Sequence, residues 1–257
     1  GIALGISAKV VEGVGYLHFD PERGTYLGAL TLNIKKKVTV GAVAILHTKL
    51  PEIPGGYSLL VMINTTFEPG ISLPFGFFLK GLGGILGLHR TIAVERIRAD
   101  MTSGSLEKIL FPNIDALNVR QLVQDLDHYF PVKSDQFFGG LMARIVWGAP
   151  AVLVMDVGLM LEAPSPWRLV LVGMVKATLP NPEKPVLQLR CAVLGEVDFE
   201  KGFLALDARL YDSRLLSFTL EGDVALRIRW AGESGFLLSV GGFHPAFKPP
   251  ASLDPGT

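Results

Sequence analysis

Residues 75–101, FGFFLKGLGGILGLHRTIAVERIRADM, contain the point at which the sequence pattern changes. Before this stretch apolar residues recur at every second position, as in β-strands, and after it they recur at helical spacing. Four glycines lie at the change of pattern: Gly81, Gly83, Gly84 and Gly87. The pattern therefore predicts a glycine-rich hinge that joins a strand region to a helix beginning near Thr91.

The region before the hinge, residues 1–90, has the features of an antiparallel meander. Segments 26–34, 38–46 and 59–67 each place their apolar side chains on one parity, which is the pattern of strands with one buried face. The segment DPERG before the first of them combines proline with glycine and predicts a tight turn.

The region after the hinge, residues 91–140, is expected to be a helical insertion of three short helices. The third is the clearest, because Asn118 can cap it and its apolar stripe comprises Leu122, Leu126, Tyr129 and Phe130. A single apolar stripe on each helix predicts that the insertion packs against a sheet.

Alternation resumes near Leu141 and continues to residue 244. The longest alternating segment is 216–230, with apolar residues at even positions and mostly polar residues at odd positions. This pattern predicts one long strand with a solvated face. Phe236, Leu238 and Val240 are expected on its partner strand.

The composition is unusually apolar. Hydrophobic residues make up 49% and charged residues 19% of the chain, whereas about a quarter of a typical soluble domain is charged. The excess apolar side chains are expected to line a cavity, to lie between domains or subunits, or to face lipid. The 24 basic and 24 acidic residues balance, so no overall basic surface predicts nucleic-acid binding.

The fold class predicted is mainly β: a large, strongly bent antiparallel sheet or an incomplete barrel, with three short helices inserted mid-chain. The domain is expected to comprise a meander at 1–90, the insertion at 91–140, a second meander at 141–244 and a linker-like tail at 245–257. The tail and the start without Met predict a single β-rich domain cut from a longer chain. Nothing in the sequence indicates a cellular location.

The chain resembles a large bacterial family of long, β-rich, multidomain proteins known only as a domain of unknown function. The resemblance is carried by GYSLLVMI at 56–63, FGFFLKGLGGILGLHRT at 75–91, WGAPAVLVMDVGLMLE at 147–162, LYDSRLLSFTLEGDVALRIRW at 210–230 and SVGGFHPAF at 239–247. It implies a shared architecture and neighbouring domains of a parent chain, and it transfers no catalytic residues. Such proteins are also similar in pattern to extended β proteins that cradle lipid.

The hinge offers the candidate binding residues Lys80, Gly83, Gly84, His89 and Arg90. Helix N-termini bind anions, and three of these side chains would add positive charge. The segment lacks a Walker motif and a clean G-x-G-x-x-G. Glycines that let backbone layers pack closely are the stronger alternative. The lysines at 35–37 are open to two interpretations: a phosphate or lipid-headgroup site or, more commonly, a solvated turn.

Catalytic and metal chemistry have weaker signals. The five histidines show no ligand spacing with carboxylates, so neither a metal nor another cofactor is predicted. Ser58, in GGYSLL, lacks the second glycine of a nucleophile elbow. Asp207, Asp212 and Arg214 are expected to form ion pairs. Cys191, the only cysteine, is expected to be a small buried hydrophobe.

The leading hypothesis is a non-enzymatic scaffold or binding module with an apolar groove or cavity for a hydrophobic small molecule, a lipid or a partner segment. Lys80, His89 and Arg90 would be polar anchors at its mouth. The first alternative is a structural component of a large secreted or phage-tail-like assembly. The second is a hydrolase of unknown substrate that uses Ser58 or His89.

Overall fold

The computed structural model describes residues 1–50, 56–104, 106–112, 114 and 119–241. Strands dominate these residues. In chain order they are β1 (Ile2–Ala8), β2 (Val11–Asp20), β3 (Thr25–Ile34), β4 (Val38–His47), β5 (Ser58–Ser72), β6 (Phe77–Arg90), β7 (Val132–Trp147), β8 (Leu153–Ala163), β9 (Arg168–Leu179), β10 (Leu187–Asp198), β11 (Phe203–Leu210), β12 (Ser213–Leu215), β13 (Phe218–Leu220), β14 (Asp223–Arg229) and β15 (Gly235–Val240).

The strands form one large antiparallel sheet, which confirms the mainly β prediction. Each strand from β1 to β11 pairs with its neighbour in sequence, and β14 and β15 extend the order. The short hairpin of β12 and β13 leaves this path and pairs with β10. Among the described residues β1 and β15 each pair on one side only, so the sheet is open and does not close into a barrel.

The helices lie between β6 and β7. They are α1 (Val94–Ala99), α2 (Leu106–Leu110) and α3 (Val119–Tyr129), with 3₁₀ turns at Pro74–Gly76 and Met101–Ser103. Because α2 has five residues, little more than one turn, the three helices expected reduce to two helices and one helical turn. The predicted stripe on α3 is buried, while its predicted cap, Asn118, lies outside the described residues.

The predicted glycine-rich hinge is wrong. All four of its glycines lie inside the 14-residue strand β6, and α1 begins at Val94. The reason is packing: a Cβ at Gly87 would come within 2.2 Å of the Phe138 ring on β7, and one at Gly81 within 2.9 Å of Phe111. The glycines therefore let neighbouring side chains approach the strand, as the alternative interpretation expected.

Two strand boundaries also differ from the pattern. β7 begins at Val132, nine residues before Leu141, because Gly139 and Gly140 hide the alternation while their backbone still pairs with β6. The long strand expected at 216–230 is divided into β13 and β14, and Leu216 adopts a φ of 53°. β15 does pair with β14, as predicted for residues 236–240. The linker-like tail at 245–257 lies outside the described residues.

The hydrophobic core lies on one side of the sheet, beneath the helices. It joins Ile97, Leu110 and Leu126 of the helices to one face of the central strands, represented by Met62 of β5 and Val172 of β9. Side chains alternate between the two faces of a strand. The core therefore accounts for only half of the side chains in each strand.

Candidate functional site

The face of the sheet opposite the helices, here called the open face, is the largest feature that the core does not explain. In β5 the residues Ser58, Leu60, Met62 and Asn64 point toward the helices and are buried. Their neighbours point the other way. The strand registers extend this assignment across the sheet, since residues paired in an antiparallel ladder lie on the same face.

The open face is apolar from one sheet edge to the other. In the registered strand pairs of the described residues it holds no Asp, Glu, Lys, Arg or His. Its hydrogen-bonding side chains there are few: Tyr26, Thr65 and Trp147. Across the central strands β5 to β9 the face comprises Leu59, Val61, Ile63, Thr65, Phe67, Leu82, Gly84, Leu86, Leu88, Phe137, Gly139, Leu141, Ala143, Ile145, Leu153, Met155, Val157, Leu159, Leu161, Leu169, Leu171, Gly173, Val175 and Ala177.

Many of these side chains are exposed. Leu141, near the middle of the sheet, is 76% exposed, and Leu82, Leu86 and Leu159 are each close to half exposed. Neighbouring strands lie about 4.8 Å apart and residues rise about 3.3 Å, so the face is about 60 Å wide and about 30 Å long. The largest apolar patch of a typical monomer is only about 300–600 Å².

The helix side of the same sheet carries the charges. Arg98 of α1 donates to Asp207 at 3.0 Å, and Arg227 donates to the other oxygen of Asp207 at 2.6 Å. Arg168 bridges Glu162 at 2.6 Å and Glu196 at 3.1 Å. Buried ion pairs are weak sources of stability. They do give each of these carboxylates and guanidinium groups a partner of opposite charge within the protein. Asp207 thus forms ion pairs as expected, although they are mostly buried and not at the surface, while Asp212 forms a surface pair with Arg190 at 3.3 Å.

Arg90 is the most deeply buried charge on this side. Its side chain is fully buried and donates from Nε to Ser58 Oγ at 3.0 Å, and from Nη1 to Asp127 at 2.6 Å and to the Phe130 carbonyl at 2.8 Å. These bonds tie α3 to the ends of β5 and β6. Arg90 therefore positions a helix at the sheet.

The electrostatics of Asp127 follow from this contact. Burial acts to raise the pKa of Asp127, but the neighbouring His47 and the charge of Arg90 outweigh it, so the pKa lies below its ordinary value. His47 Nε2 lies 3.8 Å from the Asp127 carboxylate. The carboxylate is thus held ionised as the counter-charge of the buried guanidinium.

The structure does not gather the predicted binding residues into one site. Lys80 lies at a bulge near the start of β6 and pairs with Glu68 at 2.7 Å, whereas Arg90 ends the strand. Ten residues of strand separate them by about 33 Å. His89 accepts a hydrogen bond from the Asp135 N–H at 3.1 Å and packs edge-on against Tyr57. Gly83 and Gly84 lie mid-strand, on opposite faces of the sheet.

Ser58 is placed unfavourably for nucleophilic chemistry. It is fully buried, and its hydrogen-bond partner is the Arg90 guanidinium, which cannot accept a proton. His47 pairs with Ser58 across the ladder, yet its contacts are to Thr25 and Asp127. In the part of the chain that the structure describes, no three His, Cys, Asp or Glu residues form a group able to hold a metal.

A cavity of about 210 Å³ on the helix side has a mixed lining, which includes Pro112 and Ile114. Thr31, Thr39, Asn64 and Arg144 line it together with Phe111. Arg144 makes a bidentate pair with the buried Asp156, at 2.6 and 2.8 Å. The guanidinium of Arg144 also lies over the Phe111 ring. These two contacts fix its orientation. The cavity is small and mixed in polarity, whereas the open face is extended and uncharged, so the open face is the candidate site.

The sequence pattern identifies the apolar residues of the open face, but it does not show that this face is left uncovered. The parities identified at 26–34, 38–46 and 59–67 are all open-face parities, and they were expected to form the interior. The available signal lies in the later strands, in the registered pairs from β7 to β14, where one parity lacks charge and the other carries charges such as Arg144, Asp156 and Glu196. None of the helices in the described ranges is long and apolar enough to cross a membrane.

Comparison with known proteins gives a family and no function. The model of the family described as "Family of unknown function (DUF6603)" matches residues 1–255. No curated protein and no solved structure gave a match. Since the family model spans nearly the whole chain, the chain belongs to this family, which confirms the resemblance to a domain of unknown function.

Proposed function

Taking the chain as a member of the DUF6603 family, we propose that it is a non-enzymatic module that binds the acyl chains of lipids along the open face of its sheet. The observation that carries the proposal is the uncharged character of that face across all the registered strand pairs. A bend of the sheet toward this face would turn it into the groove expected from the sequence. Acyl chains would lie against the leucine and valine side chains.

The hydrophobic effect supplies the driving force. Each CH₂ group buried is worth about 0.8 kcal/mol, so a long acyl chain gains several kcal/mol even when only one side of it is covered. The same burial shields side chains such as Leu141, which is 76% exposed. Binding would therefore remove unfavourable surface from both partners.

The chemistry of the face favours a fluid apolar partner over a folded protein. A protein interface typically has about one hydrogen bond per 100–200 Å². The open face offers little beyond Tyr26, Thr65 and Trp147, and the Trp147 N–H is already bonded to the Phe75 carbonyl at 3.0 Å. A lipid chain requires no hydrogen bonds to fix its register, so it matches this surface.

The test is native mass spectrometry of the purified chain, followed by organic extraction and binding of a fluorescent fatty acid. We expect co-purifying lipid in a monomer and saturable fatty-acid binding. The double variant Leu86→Glu/Leu141→Glu places two charges on adjacent open-face strands and should weaken binding at least tenfold. Gln124→Glu, an exposed position on α3, is the matched control and should bind like the wild type.

Other outcomes would overturn the proposal. A chain free of lipid, with fatty-acid binding that is equal in the double variant and the control, would show that the open face is not the site. If the wild type were a lipid-free dimer and the double variant a monomer, the face would be assigned to a second copy of the chain.

A component of a larger assembly is a second candidate, favoured by the sheet edges. Every residue of β1 is exposed, and β1 and β15 each pair on one side only among the described residues. Unpaired strand edges are templates for pairing with another strand. Oligomerisation that depends on concentration and that Ile6→Pro in β1 abolishes would support this candidate over lipid binding.

A further inference from the structure

Two turns at one end of the strands form a basic rim that borders part of the open face. The turn between β1 and β2 contains Lys9, and the turn between β3 and β4 contains Lys35, Lys36 and Lys37. All four lysines are exposed. The second turn joins Ile34 to Val38, a paired couple on the open face, so the positive charge begins where the apolar surface ends.

Backbone hydrogen bonds hold these turns together. The Lys35 N–H donates to the Val10 carbonyl at 2.8 Å, and the Glu68 N–H donates to the Lys37 carbonyl at 2.7 Å. The turn of β1 and β2, the lysine turn and the far end of β5 are thereby linked in one row. Lys35 and Lys36 have φ angles of 50° and 54°, a left-handed conformation that glycine or asparagine adopts more readily than lysine.

Apolar side chains protrude from the same rim. Val10 is 48% exposed beside Lys9, and Ile71 is 51% exposed near the end of β5. Phe75, in the connection from β5 to β6, is 92% exposed, and its carbonyl is held by the Trp147 indole. Glu68, within the last part of β5, is paired with Lys80.

Other charged turns carry both signs, including the turn between β9 and β10 at the same end, which holds Glu183 and Lys184. At the opposite end, the turn between β2 and β3 holds Asp20, Glu22 and Arg23, and the turn between β10 and β11 holds Glu200 with Lys201. Both signs are mixed there. The lysine turns are therefore a local feature, since the chain as a whole has no net charge.

We propose that this rim docks on an anionic lipid bilayer, with Lys9 and Lys35 to Lys37 at the headgroups and Phe75 at the acyl boundary. Basic residues near a surface of anionic lipids bind it electrostatically, and amphipathic aromatic and apolar side chains lie at the interface. The inference rests on the proposed function, because docking at this rim would bring the open face to its lipid. A nucleic acid would match the lysines but not the exposed Val10, Ile71 and Phe75.

The test is co-sedimentation of the chain with two kinds of vesicle, pure phosphatidylcholine and phosphatidylcholine with about 30% phosphatidylserine. Both are measured at low and high salt. We expect binding to the anionic vesicles that salt weakens. The variant Lys35→Gln/Lys36→Gln/Lys37→Gln should bind roughly 100-fold more weakly. Phe75→Ala should bind the vesicles several-fold more weakly. Most of this loss should fall on the part of the binding that persists at high salt.

The matched control removes three basic charges at the opposite rim: Arg23→Gln, Lys49→Gln and Lys201→Gln. It should bind vesicles like the wild type. Equal binding of the two triple variants, or equal binding of wild type to neutral and anionic vesicles, would overturn the docking rim. So would binding of a single-stranded oligonucleotide that needs the lysines when the vesicles do not bind.

A second measurement separates this inference from the proposed function. Fluorescent fatty acid in vesicle-free buffer should bind the lysine variant as tightly as the wild type, because the rim lies outside the open face. Loss of vesicle binding with fatty-acid binding intact supports the rim. Vesicle binding that depends on the lysines in a chain that binds no fatty acid would overturn the proposed function and would leave docking at the rim standing.

Discussion

The two faces of the sheet differ in where their charged side chains lie: the more buried face carries the charges, and the more exposed face carries none in its registered pairs. The helix side is buried yet carries Arg90, Arg168 and Glu162, and each of these charges has a hydrogen-bonded partner. The open face is only partly buried yet carries no charge in its registered pairs. Folding alone favours the reverse, because exposed apolar surface gains nothing from the fold. Under the proposed function, the open face would serve a lipid partner, while the charges of the helix side hold the fold together.

The largest effect on stability is expected from the helix side, at the Arg90 contact. Asp127→Ala would leave the buried guanidinium without its counter-charge and should lower the free energy of unfolding by about 3 kcal/mol. Urea denaturation at pH 7 measures the change. Gln124→Ala on the same helix is the control, with a change below about 0.5 kcal/mol. Equal stability of the two variants would show that the contact does not hold α3.

The same contact predicts a dependence on pH. The pKa of Asp127 is lower in the folded chain than its ordinary value of about 3.9. Its contribution is therefore complete above that value and is lost as pH falls through the folded-state pKa. The stability difference between wild type and Asp127→Asn should be constant from pH 6 to 7 and should narrow below about pH 4. A difference that widens on acidification would contradict the assignment.

Substitutions at two glycines of β6 compare the packing of the two faces within one strand. Gly87→Ala, on the helix side, would place a Cβ 2.2 Å from the Phe138 ring and should destabilise the chain by about 2 kcal/mol. Gly84→Ala, on the open face, meets its nearest atom at 3.5 Å. It should be neutral or slightly stabilising, because alanine suits a strand better than glycine. Thermal unfolding of both variants checks the contrast, which would fail if Gly84→Ala were the more damaging.

The smallest effect on stability is expected from a charge on the open face. Leu141→Glu should change the free energy of unfolding by less than about 0.5 kcal/mol, because the side chain is already 76% exposed. Chemical denaturation measures it. A loss of 2 kcal/mol or more would mean that Leu141 is covered in the folded chain in solution, and the open face would then be part of the core.

The sequence predicted the mainly β class and most strands because alternation and turn residues agree over long segments. It missed β7 before Leu141, where Gly139 and Gly140 carry no side chain to reveal the period. The glycines of β6 suggested a hinge because their role is set by Phe138 and Phe111, which are distant in sequence. Which parity faces the helices depends on tertiary packing, so the pattern could identify the apolar parity but not its exposure.

Cys191 provides the most direct test of the open face. It is the only cysteine and lies on that face in β10, paired with Val175 and Leu210. Burial raises the pKa of its thiol, which slows alkylation, so the rate with fatty acid is compared with the rate of the same protein without it at neutral pH. Cys191→Ser/Thr102→Cys, which moves the thiol to an exposed position among the helices, is the control.

The measurement is the rate of maleimide alkylation with and without a saturating fatty acid. The account predicts at least tenfold slower alkylation of Cys191 in the presence of the fatty acid and no change for the cysteine at position 102. Equal rates at Cys191 with and without fatty acid would contradict the claim that the open face binds acyl chains.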